Sequence, residues 1–331
     1  MRLGIIGAGM IVRGLFEFAH EIEGLELVAI CATPQEEEQL KEMCQAHQIK
    51  RYYVDSEKLF EDEEVDVIYV AVPNHLHYLF CKKAIEAGKH VICEKPFTSN
   101  TTELEELVKL AKERDVLMVE AMTTHYLPNM ISIKEKMDQL GDIKIVSANY
   151  SQYSSRYNAF KQGDILPAFN PEMSGGALMD LNIYNINFVV ALFGEPKSVD
   201  YQANIERGID TSGILILDYD TFKCVCIGAK DCKAPVSTTI QGNKGSIQIT
   251  TPVNVLGDYS ISLNRNGKEE TFDYNDGKHR MYHEFVQFMD MIGNKQQDKV
   301  DEMLAISLIT MRIQTEARKK AGVIFPADTV N

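Results

Sequence analysis

Three stretches of this 331-residue chain bring together side chains able to do chemistry. Residues 94 to 97 read Glu-Lys-Pro-Phe directly after the apolar run His-Val-Ile-Cys, which sets a carboxylate, an ammonium and a ring-fixed backbone where a buried strand should end. The segment Val72-Pro73-Asn74-His75-Leu76-His77 closes an earlier apolar run and carries two imidazoles one residue apart. Far from both, Asp180 and Tyr184 stand four residues apart after Gly175-Gly176, so on a regular helix they share a face. Ammonium, carboxylate, imidazole and phenol are the groups of general acid–base chemistry. Each stretch also has a plain structural reading: a solvated loop at Glu94 to Phe97, hydrogen-bonding histidines in a turn, and a capped amphipathic helix with Tyr184 half buried. His75 and His77 could ligate a metal, but no third ligand stands at a recognisable spacing, and no metal is expected.

The elements that must carry these residues come from the spacing of apolar side chains. The run Arg2 to Gly7 is followed by Ile11, Leu15, Phe18, Ala19 and Ile22, which line one helix face. After the run 25–30, Thr33, Pro34 and Glu36 form a helix start, with Thr33 as N-cap, Pro34 in the first helical position and Glu36 closing a capping box. Residues 65–72 are nearly continuous in apolar types, as in a strand covered on both faces. A helix from about Leu76 to Ala87 ending at Gly88, the run 90–93, a capped helix around Thr101 to Arg114 and the run 116–121 complete the series. Strands alternating with helices predict a doubly wound parallel sheet of Rossmann type. In such a sheet ligands bind outside the carboxyl ends of the strands, so both loops would face one site.

Gly7-Ala8-Gly9 lies where the first strand meets the first helix. Glycine there lets the backbone approach a pyrophosphate, and the helix N-terminus offers unpaired N–H groups. The fingerprint is incomplete, because Val12 stands where a third small residue belongs and Gly14 is out of register. Cys31, Ala32 and Thr33 occupy the end of the second strand, where an acidic residue would grip a ribose 2′-hydroxyl. No arginine replaces it for a 2′-phosphate, and Glu36, Glu37 and Glu38 would repel one. The choice between NAD and NADP stays open on these residues.

Beyond residue 121 the pattern changes, which divides the chain into 1–121 and 122–331. Extended runs follow one another in the second part with short turns such as Gly242-Asn243 and Asn266-Gly267, predicting an α+β domain with a large, mostly antiparallel sheet. Helices are expected at about Arg280 to Ile292 and Val300 to Ala321. The net charge of −14 and the absence of a Lys/Arg cluster argue against nucleic acid as a partner. No apolar run reaches the 18 or so residues of a membrane span, so no membrane is expected. The start carries no small-residue cleavage site, which makes a cytoplasmic location the expectation. Seven cysteines without a disulfide or zinc pattern read as reduced thiols, with Cys224 and Cys226 packing from one face of a strand.

"GIIGAGMI" at the N-terminus, "AIEAGKHVICEKPF" at 84–97 and "GGALMDLNIYNI" at 175–186 resemble, in order and spacing, the Gfo/Idh/MocA oxidoreductase family. The resemblance implies an N-terminal Rossmann domain binding NAD(H) or NADP(H), and a C-terminal substrate domain whose open sheet often joins subunits, so a homodimer or homotetramer is expected. It implies that Lys95 lies beside substrate and nicotinamide. The family commonly places Asp and His four residues apart in the second domain; Asp180 and Tyr184 here look like the branch of dimeric dihydrodiol dehydrogenase and glucose-fructose oxidoreductase, whose acid/base is tyrosine. Gly7, Gly9, Met10, Ile11, Thr33, Pro73, Asn74, His77, Glu94 and Lys95 are then expected at the cofactor. His125, Tyr153, Arg156 and Asn182 are candidates for a sugar- or polyol-like small-molecule substrate. A free tyrosine titrates near 10, so a tyrosine base needs its phenolate stabilised, and an ammonium within about 4–6 Å does this. Lys95 is the available ammonium, and Asp180 would position it or the substrate. A regulatory protein that binds nucleotide and sugar without turnover is the alternative on the same fold; a metal-assisted hydrolase using His75 and His77 ranks last.

Overall fold

The computed structural model describes residues 1–265 and 267–329, so Asn266 of the expected Asn266-Gly267 turn lies outside the described residues. The chain divides into two compact units. The first, Met1–Ala121 with Met281–Ser307, opens with β1 (Arg2–Ile6), α1 (Met10–Phe18), β2 (Glu26–Cys31), α2 (Glu37–His47), β3 (Arg51–Tyr53), α3 (Ser56–Phe60), β4 (Val67–Val70), α4 (His77–Glu86), β5 (His90–Glu94), α5 (Thr101–Glu113) and β6 (Met118–Ala121). All pairings are parallel, in the order β3-β2-β1-β4-β5-β6. The order reverses between β1 and β4, which opens the crevice where such sheets take a dinucleotide. Val67, Ile68, Tyr69 and Val70 are all buried, because helices cover both faces of β4. The short β3, with three half-buried residues, was not expected from the sequence, nor was α3.

The second unit, Met122–Arg280 with Leu308–Asn331, contains α6 (Pro128–Lys136), β7 (Ile143–Ser151), α7 (Ser155–Gln162), α8 (Ile183–Phe193), β8 (Ser198–Glu206), β9 (Ile209–Asp218), β10 (Lys223–Ala229), β11 (Ser237–Gly242), β12 (Gly245–Ile249), β13 (Tyr259–Leu263) and β14 (Glu269–Phe272). Its eight strands run β14-β13-β12-β11-β7-β10-β9-β8. Every pairing is antiparallel except β10 with β7, which is parallel. Val146, Ala148, Leu215, Leu217, Cys224 and Cys226 are buried on one face. The two thiols lie side by side there at 3.8 Å, and all seven cysteines are free. Residues 171–193 have the length and apolar composition of a membrane-crossing helix, yet 72% of the window is buried inside the protein, as in a core helix.

Two helices close the chain, α9 (Tyr282–Gly293) and α10 (Gln297–Lys320). Residues 281–307 belong with the first unit, which corrects the expectation that everything after residue 121 forms the second. The reason is aromatic packing: Phe285 of α9 meets Tyr69 of β4 at 5.3 Å and Phe18 of α1 at 5.7 Å, both edge to face.

Candidate active site

In the first unit, Gly7 makes the turn out of β1 with φ +115°, and a Cβ on it would lie 2.1 Å from the Ala71 carbonyl oxygen, so only glycine fits. Gly9 is the N-cap of α1. Its flank is open, with nothing within 4 Å of where a Cβ would stand, and no side chain caps the helix. Uncapped amides facing open space at the end of β1 fit a dinucleotide pyrophosphate. Met10 is 75% exposed beside them, and Ile11 is half buried.

The loop after β5 is held mainly through its backbone. Glu94 accepts the Tyr69 hydroxyl at 2.6 Å, and its other oxygen accepts the N–H of Lys95 at 3.3 Å. The Lys95–Pro96 bond is cis. His77 is 1% exposed, with Nδ1 2.8 Å from the Pro96 carbonyl oxygen and Nε2 2.9 Å from that of Val72. Burial lowers its pKa against these two carbonyls, which favour the charged ring, so the neutral imidazole donates to one of them. The buried ring thus sits between the carbonyl at the end of β4 and the one in the Lys95 loop, hydrogen-bonded to one and packed against the other, which makes His77 a structural contact of that loop. His75 is half buried, and burial lowers its pKa too. Pro73 and Asn74 begin the short 3₁₀ turn after β4.

Glu120, at the penultimate position of β6, drew no notice in the sequence. It accepts the Phe97 N–H at 3.1 Å and the Ser307 hydroxyl at 2.6 Å. Burial pushes its carboxyl up to about 7. A carboxyl on a strand otherwise made of Met, Val and Ala was the available signal, since buried charges need partners.

The second unit carries the other candidates. Asp180 lies in a π-helical turn, Leu178–Asn182, and Tyr184 in the α-helix that continues it, so the regular helix expected from their spacing gives way at its start to a wider turn. Gly176, with φ +106°, lets Asp210 approach: a Cβ there would meet Asp210 Oδ1 at 2.1 Å. The Leu178 N–H donates to Asp210 Oδ2 at 2.7 Å and the Tyr201 hydroxyl to the same oxygen at 2.8 Å, while burial raises the Asp210 carboxyl to about 6. Lys230, just past β10, is 2% exposed; its Nζ donates to Asp180 Oδ2 at 2.6 Å and to the Ala168 carbonyl oxygen at 2.9 Å, and lies 4.8 Å from the Phe169 ring centre. Tyr184 is 8% exposed, its ring 6.2 Å from that of Tyr150. Lys230 and Asp210 were both missed by sequence reasoning.

The substrate candidates all lie in the second unit. Asn182 is buried, donates to the Cys226 carbonyl oxygen at 3.1 Å and accepts from Asn185 at 2.9 Å, which ties the helix to β10. His125 is buried, and burial pushes its pKa down to about 3. Arg156 is exposed on α7, where the sequence suggested a loop, and Tyr153 donates to Asn158 at 2.7 Å on the same surface. Among the described residues, no group of three or more His, Cys, Asp or Glu side chains could hold a metal.

Family models match both parts of the chain: an oxidoreductase family with an NAD-binding Rossmann fold over residues 1–121, and the GFO/IDH/MocA C-terminal domain over 133–248. The chain belongs to the Gfo/Idh/MocA oxidoreductase family. A family relative, scyllo-inositol 2-dehydrogenase (NADP(+)) of Bacillus subtilis (strain 168), is 36% identical over 99% of each chain. Trans-1,2-dihydrobenzene-1,2-diol dehydrogenase of Danio rerio is 28% identical over 99% of each. Among solved structures, a 3-ketoreductase from Actinomadura kijaniata in complex with NADP and TDP-benzene matches with TM-score 0.83 over 98% of each chain at 20% identity, a likeness of fold. Membership of the Gfo/Idh/MocA family makes the chain an NAD(P)-dependent oxidoreductase whose residues 1–121 form the NAD-binding Rossmann domain.

Proposed function

We propose that this oxidoreductase transfers hydride between a nicotinamide and the secondary alcohol or carbonyl carbon of a sugar, polyol or dihydrodiol-like substrate. Tyr184 serves as acid/base and Lys95 as its electrostatic partner. Bound NAD(P) supplies the hydride acceptor or donor. Tyr184 takes the alcohol proton in oxidation and returns it in reduction, while the Lys95 ammonium binds the substrate oxygen and stabilises negative charge as it forms. Asp180, anchored by Lys230, positions the substrate.

The observation that carries this reading is the place of Lys95: the first residue beyond β5, two strands from the glycine turn of β1, at the sheet end where ligands bind. The whole-length relatives that act on inositol and dihydrodiols support the substrate class. The test is turnover of polyols, sugars and dihydrodiols with each nucleotide. Lys95→Met and Tyr184→Phe should each lower kcat/KM by about 10²- to 10⁴-fold with nucleotide binding retained; wild-type turnover in both variants would sink the mechanism. Nucleotide and sugar binding without any turnover would favour the regulatory alternative.

We further propose that the exposed face of the eight-stranded sheet joins subunits into a homodimer or homotetramer. Ile214 and Ile216 of β9 are 45% and 41% exposed, pair in register with Ile227 and Val225 of β10, and share their face with Ile145, 47% exposed. Ile214→Glu with Ile216→Glu should reduce the mass seen by light scattering to that of one chain; an unchanged oligomer would place the interface elsewhere.

A further inference from the structure

In the dinucleotide-binding strand order, the adenosine ribose lies at the carboxyl end of the second strand, where an acidic side chain selects the 2′-hydroxyl of NAD and an arginine the 2′-phosphate of NADP. Cys31, Ala32 and Thr33 stand there in this chain and supply neither group. A carboxylate reaches the place from three residues further on. Glu36 Oε2 accepts the Thr33 N–H at 3.1 Å and the Thr33 hydroxyl at 2.7 Å, and the Glu36 N–H donates back to the Thr33 carbonyl oxygen at 2.9 Å. The side chain is thereby folded back onto the strand end, and both Thr33 donors that could have met a phosphate are taken. Gln39 Nε2 then donates to the Ala8 carbonyl oxygen at 2.8 Å, fastening α2 to the glycine turn.

The surrounding charges act in the same direction. Asp55 caps α3, and its charge, after burial, helps push the Cys31 thiol up to about 12. Neighbouring cations are engaged: Lys41 with Glu37 at 3.3 Å and Glu38 at 2.6 Å, Arg51 with Asp62 at 3.4 Å and Glu64 at 2.7 Å.

Resting on the reading that NAD(P) lies along the glycine turn of β1 in the NAD-binding domain, we propose that Glu36, locked by Thr33, makes this chain select NAD(H) over NADP(H) by repelling the 2′-phosphate. The inositol dehydrogenase relative carries NADP(+) in its name, so similarity alone would assign the opposite preference. Dissociation constants of NADH and NADPH, measured on the full chain by nicotinamide fluorescence, decide between them. Wild type should bind NADH at least about ten-fold more tightly. Glu36→Gln keeps an oxygen acceptor for Thr33 and removes the charge, so the NADPH constant should fall about ten-fold with the NADH constant unchanged. Glu36→Lys should carry the ratio past one. Equal binding of both nucleotides by wild type, tighter NADPH binding, or an unchanged ratio in Glu36→Gln overturns the role of Glu36 alone. Failure of wild type to bind either nucleotide overturns the cofactor assignment with it.

Discussion

The two units hold their candidate side chains in opposite ways. In the first, the backbone does the placing: Gly7 turns the chain out of β1, His77 lies between two main-chain carbonyls, and Glu120 accepts the Phe97 N–H beside Lys95. Lys95 stands where it does because β5 ends there. In the second, buried side chains do it: Asp210 fixes the first turn of the Asp180 helix, Lys230 holds Asp180, and Asn182 with Asn185 ties that helix to β10. A site held by backbone can lose a side chain and keep its shape. One held by a buried polar network loses both together, because every unpaired member of the network is costly.

The largest effect expected from this contrast is at Lys230. Removing one partner of a buried ion pair costs about 3–5 kcal/mol, and since the Asp180 side chain is 32% exposed the low end, about 3 kcal/mol, is expected for Lys230→Met. Lys95→Met, by contrast, should cost less than about 1 kcal/mol while abolishing most turnover. Urea unfolding of both variants measures this. Equal stability losses at the two lysines would erase the distinction between the units.

The same contrast explains what was legible in the sequence. The parallel sheet, the glycine turn, the Thr33 capping box and the position of Lys95 follow from period, punctuation and the rule that ligands meet strand ends, all local or topological signals. β3 escaped because Arg51, Tyr52 and Tyr53 are half buried and give no apolar run; it forms by pairing with β2. The return of residues 281–307 to the first unit escaped because it depends on Phe285 reaching Phe18 and Tyr69, hundreds of residues earlier. Lys230 and Asp210 carry no local mark of their burial, and Glu120 carries one, a carboxyl in an apolar strand, but its partners Phe97 and Ser307 are shown only by the fold. Spacing does not reveal which charges a fold will enclose, since that depends on elements distant in the chain.

The smaller effect concerns Glu120, where the backbone-held site depends on an acceptor and its charge is a burden. Its carboxyl titrates near 7 in the folded chain because it is buried, against 4.5 for an ordinary glutamate. The folded state therefore keeps this proton longer than the unfolded chain does. The resulting stability is complete below pH 4.5 and is lost as the pH rises through about 7, roughly 2 kcal/mol of it between pH 5 and pH 7. In Glu120→Gln the amide oxygen can accept the Phe97 N–H and the amide nitrogen can donate to Ser307, so both hydrogen bonds survive without a titrating group. The variant should thus gain on wild type steadily from pH 5 to pH 7, by about 2 kcal/mol in urea unfolding. If the difference between variant and wild type stayed constant with pH, the Glu120 proton would not be linked to folding, and charge rather than acceptor geometry would be what the Lys95 loop requires.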